Sequence, residues 1–380
     1  MTHGTADALS HLRDALATLE RSGLRRTPPS PLADGALSFC SNDYLGLAGR
    51  FAPEATTGAG ASRLIAGERQ AHLDLERAFA AWLGVEACLA FTSGYAANVG
   101  ALSALAAPGD IVVSDALNHA SLIDGARLSR ARIVVTPHND VDAIERALAS
   151  RSEARAWVVV ESYYSMDADG PDLHALRQVC NRHGAALYVD EAHALGVLGP
   201  NGRGRCAEAE VRPDILVGTL GKSFGSQGAF VAGSHILRDW LWNRARSFVF
   251  STGLAPMAAV AAQRALDHAS ATPELRDSVA RLTERLRVGL AELDLRPIGF
   301  GHVVPVVLGS ADGAIEFSLA LRAHGLNVPP IRPPTVPEGT SRVRLTVTAR
   351  HDEQAIDGAL EAFRRVVRQQ GPALVPDGLR

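Results

Sequence analysis

Cysteine and lysine are both scarce in this 380-residue chain. The four cysteines are widely separated and form no C-x-x-C pair, which argues against a disulfide framework or a cysteine zinc site and indicates a reducing compartment. Nearly all of the 38 basic residues are arginine. A lysine that does occur is therefore a candidate for nucleophilic chemistry that arginine cannot perform.

The chain also lacks a marked charge of either sign and any long apolar run. Its 38 basic residues stand against 41 acidic ones, so no basic surplus predicts a nucleic-acid or anionic-membrane partner. No segment approaches the roughly 18 consecutive apolar residues of a membrane span, and none near the N-terminus predicts a signal peptide. With 47% hydrophobic and 21% charged residues, these features predict a globular enzyme of the cytoplasm.

Short apolar segments alternate with helical patterns from about residue 70 to residue 232. Such alternation predicts an α/β fold, in which a mostly parallel sheet is covered by helices on both faces. We assign this pattern to a large domain over residues 40–280 and predict a smaller C-terminal α/β domain over residues 281–380. Residues 1–39 are predicted to form a helical arm and a linker.

The two ends of the chain carry more specific predictions. Leucine spacing predicts a helix over residues 6–20, and a proline-rich linker follows at residues 27–31. Near the C-terminus, residues 342–348 alternate between polar and apolar side chains, which predicts a strand with one buried and one solvent-exposed face. On that interpretation Arg342 lies in solvent.

Ligands of parallel sheets bind beyond the carboxyl ends of the strands, so the residues that follow each strand are the candidates. Asp190 and His193 follow one apolar strand, and Lys222 follows another within a glycine-containing loop. The segment that begins at Ser93 opens a helix, whose free N–H groups attract anions. A P-loop NTPase fails on spacing, because Leu216 occupies the position of its first glycine, and on order, because the acidic string precedes the lysine.

Together these strand ends supply what pyridoxal phosphate (PLP) requires. Its phosphate needs backbone N–H groups, its ring needs a stacking partner, its pyridine nitrogen needs a carboxylate, and its aldehyde needs a lysine. These four needs are met in turn by the segment at Ser93, by His119, by Asp190 and by Lys222.

Several longer motifs then resemble one family over nearly the whole chain, from about residue 38 to residue 365. The matching segments are Ser41–Leu47, Ser93–Asn98, His119–Leu122, Ser165–Asp167, Asp190–His193, Thr219–Gly225 and Phe250–Thr252. They are similar to those of the α-oxoamine synthases, which are fold-type I PLP-dependent transferases. The loop Ile331–Pro337 resembles the branch that serves biotin biosynthesis, rather than the aminolevulinate, aminoketobutyrate or long-chain-base branches.

The resemblance implies a role for each matching residue. Lys222 would carry PLP covalently, Asp190 would pair with the pyridine nitrogen, and His119 would stack on the ring, so that these three and His193 are the predicted catalytic residues. The predicted cofactor-binding residues are Ser93, Gly94, Tyr95, His119, Ser165, Asp190, His193, Thr219 and Lys222, with Ser251 and Thr252 reaching the cofactor from a partner subunit. The predicted substrate-binding residues are Asn42, Arg332, Thr335 and Arg344, and no metal is implied.

The resemblance also implies a reaction and its partners. The enzyme would condense L-alanine with pimeloyl-CoA or pimeloyl-acyl-carrier protein, giving 8-amino-7-oxononanoate, CO2 and free thiol, in a homodimer with shared active sites. The alternative is a sister synthase that uses another amino acid or thioester, as a glycine C-acetyltransferase does.

Two questions about arginines stay open at the sequence level. Either Arg332 or Arg344 could be the main ligand of the amino-acid carboxylate, since Arg332 could instead brace its own loop. Arg25 and Arg26 could meet an acidic acyl carrier or the distal carboxylate of the acyl chain, or could simply be solvated.

Overall fold

We analysed a computed structural model that describes residues 9–26 and 35–370. Its helices are α1 (His11–Arg21), α2 (Gln70–Leu83), α3 (Gly94–Leu105), α4 (Ala120–Ser129), α5 (Val141–Ala149), α6 (Leu173–His183), α7 (Gly204–Glu208), α8 (His235–Arg244), α9 (Arg246–Val249), α10 (Pro256–Ala271), α11 (Glu274–Ala291), α12 (Ala311–Ala323) and α13 (Glu353–Gln370). Its strands are β1 (Leu37–Ser38), β2 (Ala87–Phe91), β3 (Ile111–Asp115), β4 (Arg132–Thr136), β5 (Ala156–Glu161), β6 (Ala186–Asp190), β7 (Ile215–Thr219), β8 (Ala229–Gly233), β9 (Val303–Gly309), β10 (Leu326–Asn327), β11 (Pro330–Ile331) and β12 (Ser341–Thr346).

The large sheet has seven strands in the order β2-β8-β7-β6-β5-β3-β4. Strands β3 to β7 pair in parallel, whereas β8 runs antiparallel to both β2 and β7. The predicted mostly parallel sheet is therefore confirmed. Because β5, β6 and β7 point the same way, their carboxyl ends meet at one edge, where Glu161, Asp190 and Thr219 lie.

Helices cover both faces of this sheet because its strands carry apolar side chains on both sides. One face packs against α3, α4 and α8 through residues such as Leu102, Leu122 and Leu241. Elsewhere, Leu173, Leu176 and Val179 of α6 pack with Val158 and Leu187. The sheet is thus a buried platform, and only its edges and strand ends are open to ligands.

A second, three-stranded antiparallel sheet has the order β11-β12-β9 and packs with α11, α12 and α13. Strand β1 pairs in parallel with β10, so the chain just ahead of the large sheet joins this smaller unit. The smaller unit therefore draws on both ends of the described chain.

The prediction that strand 342–348 exposes one polar face is wrong. All six residues of β12 are buried, and Arg342 is only 2% exposed. Its guanidinium pairs with Asp167 at 2.8 Å and donates to the carbonyl of Met166 at 2.7 Å. Alternation marked a two-sided strand correctly, but its polar side packs against the large unit instead of facing water.

The helix predicted over residues 6–20 occurs as α1, although residues 1–8 and the predicted linker at 27–31 lie outside the described residues. Leu12, Leu16 and Leu19 of α1 are all more than 40% exposed. Within the described ranges, none of the helices combines the length and the apolar character that crossing a membrane requires.

Candidate active site

Asp190 ends β6 and is almost fully buried, and it is held on both carboxylate oxygens. Oδ2 accepts a hydrogen bond from Asn98 Nδ2 at 2.6 Å, and Oδ1 accepts one from the backbone N–H of Ala192 at 2.8 Å. Asn98 is fixed in turn by Tyr188, whose hydroxyl donates to Asn98 Oδ1 at 2.9 Å. Since two donors already fix this carboxylate, it is oriented before any ligand arrives.

Lys222 lies in the loop that leaves β7 and is half-buried. Throughout the described ranges the amine has neither a hydrogen bond nor an ion pair. Desolvation lowers the pKa of Lys222 to about 8, against the opposing charges of Asp190 and Glu161. An amine with such a pKa is partly neutral near neutral pH and can act as a nucleophile or a base.

The N-terminus of α3 forms an anion cradle beside this loop. The Ser93 side chain caps the helix by accepting from the N–H of Ala96, at 3.1 Å. The N–H groups of Gly94 and Tyr95 donate to no acceptor among the described residues. A Cβ on Gly94 would lie 3.9 Å from the Thr219 hydroxyl, so the end of β7 closes the cradle.

His119 caps α4 and is anchored by a carboxylate that the sequence did not single out. Glu161 Oε1 accepts the backbone N–H of His119 at 2.6 Å, and Ser121 lies 2.7 Å from His119 Nδ1. Burial and the neighbouring charge of Asp190 raise the pKa of Glu161 to about 8. The His119 ring remains exposed at a cleft of about 760 Å³, which Glu161 also lines.

His193 is buried next to Tyr44, whose hydroxyl lies 2.5 Å from His193 Nδ1. Burial, with the charges of Lys222 and Arg344, holds the pKa of His193 well below its usual range. The ring is therefore neutral, and because Tyr44 engages Nδ1, Nε2 is the nitrogen left to hydrogen-bond a ligand.

Arg344 is a buried cation without a counter-charge. Its Nε donates to the Ser165 carbonyl at 2.7 Å and its Nη2 donates to Asn42 Oδ1 at 3.1 Å. No carboxylate forms an ion pair with it in residues 9–26 or 35–370. Because a buried charge is costly unless it is paired, this guanidinium is suited to receive the carboxylate of a ligand.

Arg332 has a different environment. Its guanidinium donates to the carbonyls of Gly23 and Arg25, the latter at 3.0 Å, just beyond the end of α1. Arg26 in turn donates to the Thr335 hydroxyl at 3.1 Å. Arg332 thus braces the arm against the proline-rich loop, which favours Arg344 as the carboxylate ligand.

Ser251 and Thr252 are not brought into the cleft that His119 lines. They line a small separate cavity with Arg63 and Phe248. Of the sequence-predicted residues, the single chain therefore assembles those at the strand ends, while the pair at 251 and 252 stays a prediction about a second subunit.

The residues at the strand ends fit PLP on the chemistry of the donor set. The cradle offers unpartnered N–H groups to a phosphate, Asp190 offers a fixed carboxylate, and Lys222 offers an amine of lowered pKa. His119 offers an exposed aromatic ring on which the cofactor ring could stack.

The sequence by itself assigned no role to Glu161, Asn98 or Tyr44. Glu161 carries a local signal, because it ends β5 and ligands of parallel sheets bind beyond the carboxyl ends of the strands. Asn98 and Tyr44 lie within the matching segments Ser93–Asn98 and Ser41–Leu47, but their roles depend on partners, Asp190 and His193, that lie 92 and 149 residues away in the chain.

Comparison with known proteins gives concordant matches. The aminotransferase class I and II family matches residues 34–363. An 8-amino-7-oxononanoate synthase of Anaeromyxobacter dehalogenans is 44% identical over 390 residues, covering 96% of this chain and 98% of that protein. Serine palmitoyltransferase of Sphingomonas wittichii has a TM-score of 0.88 at 29% identity and covers 98% of this chain and 100% of its own. The S. paucimobilis serine palmitoyltransferase with bound PLP and myriocin has a TM-score of 0.87 at 29% identity, with 96% and 99% covered.

Proposed function

Because this chain belongs to the α-oxoamine synthases within the class I and II aminotransferase family, we propose that it condenses L-alanine with a pimeloyl thioester. The products would be 8-amino-7-oxononanoate, CO2 and free thiol, and the pathway would be biotin biosynthesis. The observation that carries the proposal is Arg344, a buried cation without a carboxylate partner whose charge reaches Lys222. Such a pair suits an amino-acid substrate, which brings both a carboxylate and an amine.

The enzyme is a PLP-dependent transferase, and bound PLP withdraws electrons from the α-carbon of the amino acid so that its α-proton becomes removable. Lys222 would hold the cofactor, with Asp190 at its pyridine nitrogen, and Gly94, Tyr95 and Thr219 at its phosphate. Once its Nζ is free, a pKa of about 8 allows Lys222 to accept and return that proton near neutral pH.

Arg344 and Asn42 would hold the alanine carboxylate through the condensation. A guanidinium can grip a carboxylate with two parallel hydrogen bonds, which fixes the orientation of the α-carbon. Arg344 is already oriented by the Ser165 carbonyl, so little rearrangement is needed on binding. Neutral His193 would contribute a hydrogen bond to the cofactor without adding charge.

The acyl chain would occupy the cleft of about 760 Å³ that His119 lines. Met166 and Val336 contribute apolar surface there, and Arg26 and Thr335 lie at the same cleft. We propose a homodimer in which Ser251 and Thr252 complete the partner's cofactor site. We also propose a three-part division of the chain into an arm (1–39), a cofactor domain (40–280) and a small domain (281–380).

A sister synthase is the second candidate, because a serine palmitoyltransferase shares this fold at a TM-score of 0.88. That enzyme class would use a different amino acid and a different thioester at the same site. Amino-acid and acyl preferences therefore decide between the two candidates.

The experiment measures free thiol released by the PLP-loaded protein. L-Alanine, glycine and L-serine are each paired with pimeloyl-CoA, acetyl-CoA and palmitoyl-CoA. We expect the highest kcat/KM for alanine with pimeloyl-CoA, and no release by Lys222→Ala. A preference for serine or glycine, or for the acetyl or palmitoyl donor, would replace the proposal with the sister synthase.

A further inference from the structure

His302 precedes β9 and is a buried histidine whose two ring nitrogens have no hydrogen-bond partner among the residues that the structure describes. It is 1% exposed and packs between aromatic rings, with centroids 4.2 Å from Tyr44 and 5.3 Å from Tyr163. Burial and the charges of Arg344 and Lys222 lower the pKa of His302 to about 3, so the ring is neutral. A neutral imidazole carries one donor and one acceptor, and both are left unused here.

An unused polar ring is costly in such a place, because buried polar groups are almost always hydrogen-bonded. Phenylalanine would fill the same aromatic pocket without that cost. His72 shows the ordinary case in this fold. It is equally buried, but its Nε2 lies 2.7 Å from the Leu254 carbonyl and its Nδ1 accepts the Arg69 N–H at 3.2 Å.

The surroundings of His302 connect it to the active site. The ring of Tyr44 lies edge-on to His302, and the Tyr44 hydroxyl contacts His193 Nδ1 at 2.5 Å. The backbone carbonyl of His193 also faces the His302 ring and favours a proton on it, although no hydrogen bond is formed. His302 is therefore linked to His193 in two ways, through the Tyr44 ring that lies against it and through the nearby backbone carbonyl of His193.

His302 reaches this place from the small unit. The backbone N–H of Val347, just after β12, donates to the His302 carbonyl at 3.0 Å. The neighbouring Val303 N–H donates to the Tyr163 hydroxyl at 3.3 Å. A shift of the small sheet relative to the large one would thus move the His302 ring against Tyr44 and His193.

We propose that His302 is a positioning residue of the reaction, which holds Tyr44 and His193 in place from the small unit. Its ring donates to the His193 carbonyl only when cofactor and substrate fill the site. The ring nitrogens are then used during turnover, which explains a histidine where phenylalanine would be more stable. The inference rests on the proposed function only for its activity measurement.

The test compares His302→Phe with His72→Phe as the matched control. In the PLP-free protein, we expect His302→Phe to raise the unfolding temperature by about 2 °C and His72→Phe to lower it by a similar amount. For the PLP-loaded protein, we expect His302→Phe to lower kcat about tenfold, the equivalent of one hydrogen bond, with KM for alanine changed less than about twofold. His302→Phe should also weaken PLP binding, measured by fluorescence quenching.

Tyr44→Phe supplies the second variant. If His302 acts through Tyr44, the effects of the two substitutions on kcat are not additive, and the double variant is little worse than the more impaired single one. A destabilised His302→Phe, like His72→Phe, would overturn the proposal, and so would a stabilised one with unchanged kcat and PLP affinity. If the wild type releases no thiol from the proposed substrates, the proposed function fails, while unfolding temperature and PLP affinity still decide the role of His302.

Discussion

Arg63 and Arg344 are both buried cations, but they lie in regions with opposite electrostatic arrangements. Arg63, ahead of α2, is enclosed by Glu68 at 2.6 Å and by Glu76, which also accepts the Ala90 N–H at 2.7 Å. Arg344 on β12 has only neutral acceptors. In the first region the charges are neutralised by residues of the chain, whereas in the second the charge of Arg344 is available to bind the carboxylate of a ligand.

The same contrast holds for the other groups in the two regions. Its carboxylate partners raise the pKa of Arg63 above its usual range, so that charge belongs to the fold. Burial instead lowers the pKa of Lys222 to about 8 and raises that of Glu161 to about 8, so these groups would be more stable in water. Charges that destabilise their own fold mark the region that binds and transforms a ligand.

The largest expected effect comes from Lys222→Ala. We expect kcat to fall by at least about 10⁴-fold, because the group that carries the cofactor and moves the proton is removed. The unfolding free energy of the PLP-free protein should stay level or rise, because a desolvated amine disappears. Lys222 is the only lysine in the sequence, so borohydride reduction of the loaded wild type should place the PLP mass on a single internal peptide.

Retention of the PLP mass on Lys222→Ala, or turnover near the wild-type rate, would contradict this assignment. The control is Arg285→Ala, which removes an exposed ion pair with Asp357 outside the cleft. That variant should change stability little and leave kcat unchanged.

The next largest effect is expected in the region of Arg63, where the buried charges are paired, and it is an effect on stability. Glu76→Gln should lower the free energy of unfolding by about 3 kcal/mol, because it removes the more buried of the two carboxylates that pair with Arg63 and leaves Glu68 as the remaining counter-charge. Denaturant titration measures that loss, and kcat of the folded fraction should stay within about twofold. A drop in kcat without a drop in stability would place Arg63 with the functional groups instead.

The sequence predicts the strand-end half of the site well, because each motif is local. Asp190, Thr219 and Lys222 each follow an apolar strand, and parallel strands bring their carboxyl ends to one edge. The environments of Arg342 and Arg344 are harder to predict, because the alternation along β12 does not show whether its polar face is exposed to water or packs against another unit. That choice depends on contacts such as Arg342 with Asp167, 175 residues apart.

The smallest expected effect is a pH dependence of stability that arises from Glu161, in the region of the candidate active site. The Glu161 carboxyl has a pKa of about 8 when folded, above its value of about 4.3 in an unfolded chain. The folded state therefore binds the extra proton between those values, and its stability falls as pH rises through that window. Glu161→Gln should remove this fall, leaving the variant more stable than the wild type at pH 8 by on the order of 2 kcal/mol, but not at pH 4.

Thermal or denaturant unfolding of the PLP-free proteins across pH 4 to 8 measures that difference. Glu153→Gln is the control, because Glu153 pairs with Arg132 at the surface and its pKa is lowered instead. A wild type and Glu161→Gln with parallel pH profiles would show that Glu161 titrates as an ordinary carboxyl.

The most direct test of the central claim uses two arginines on one strand. Arg342 and Arg344 point to the same side of β12, but within the described ranges only Arg342 pairs with a carboxylate, Asp167 at 2.8 Å. For Arg342→Gln we predict a loss of about 3 kcal/mol in unfolding free energy with an unchanged KM for alanine. For Arg344→Gln we predict unchanged or higher stability with kcat/KM for alanine about 100-fold lower. If both variants lose stability equally and neither changes kcat/KM for alanine, an unpaired buried charge does not mark the substrate site of this enzyme.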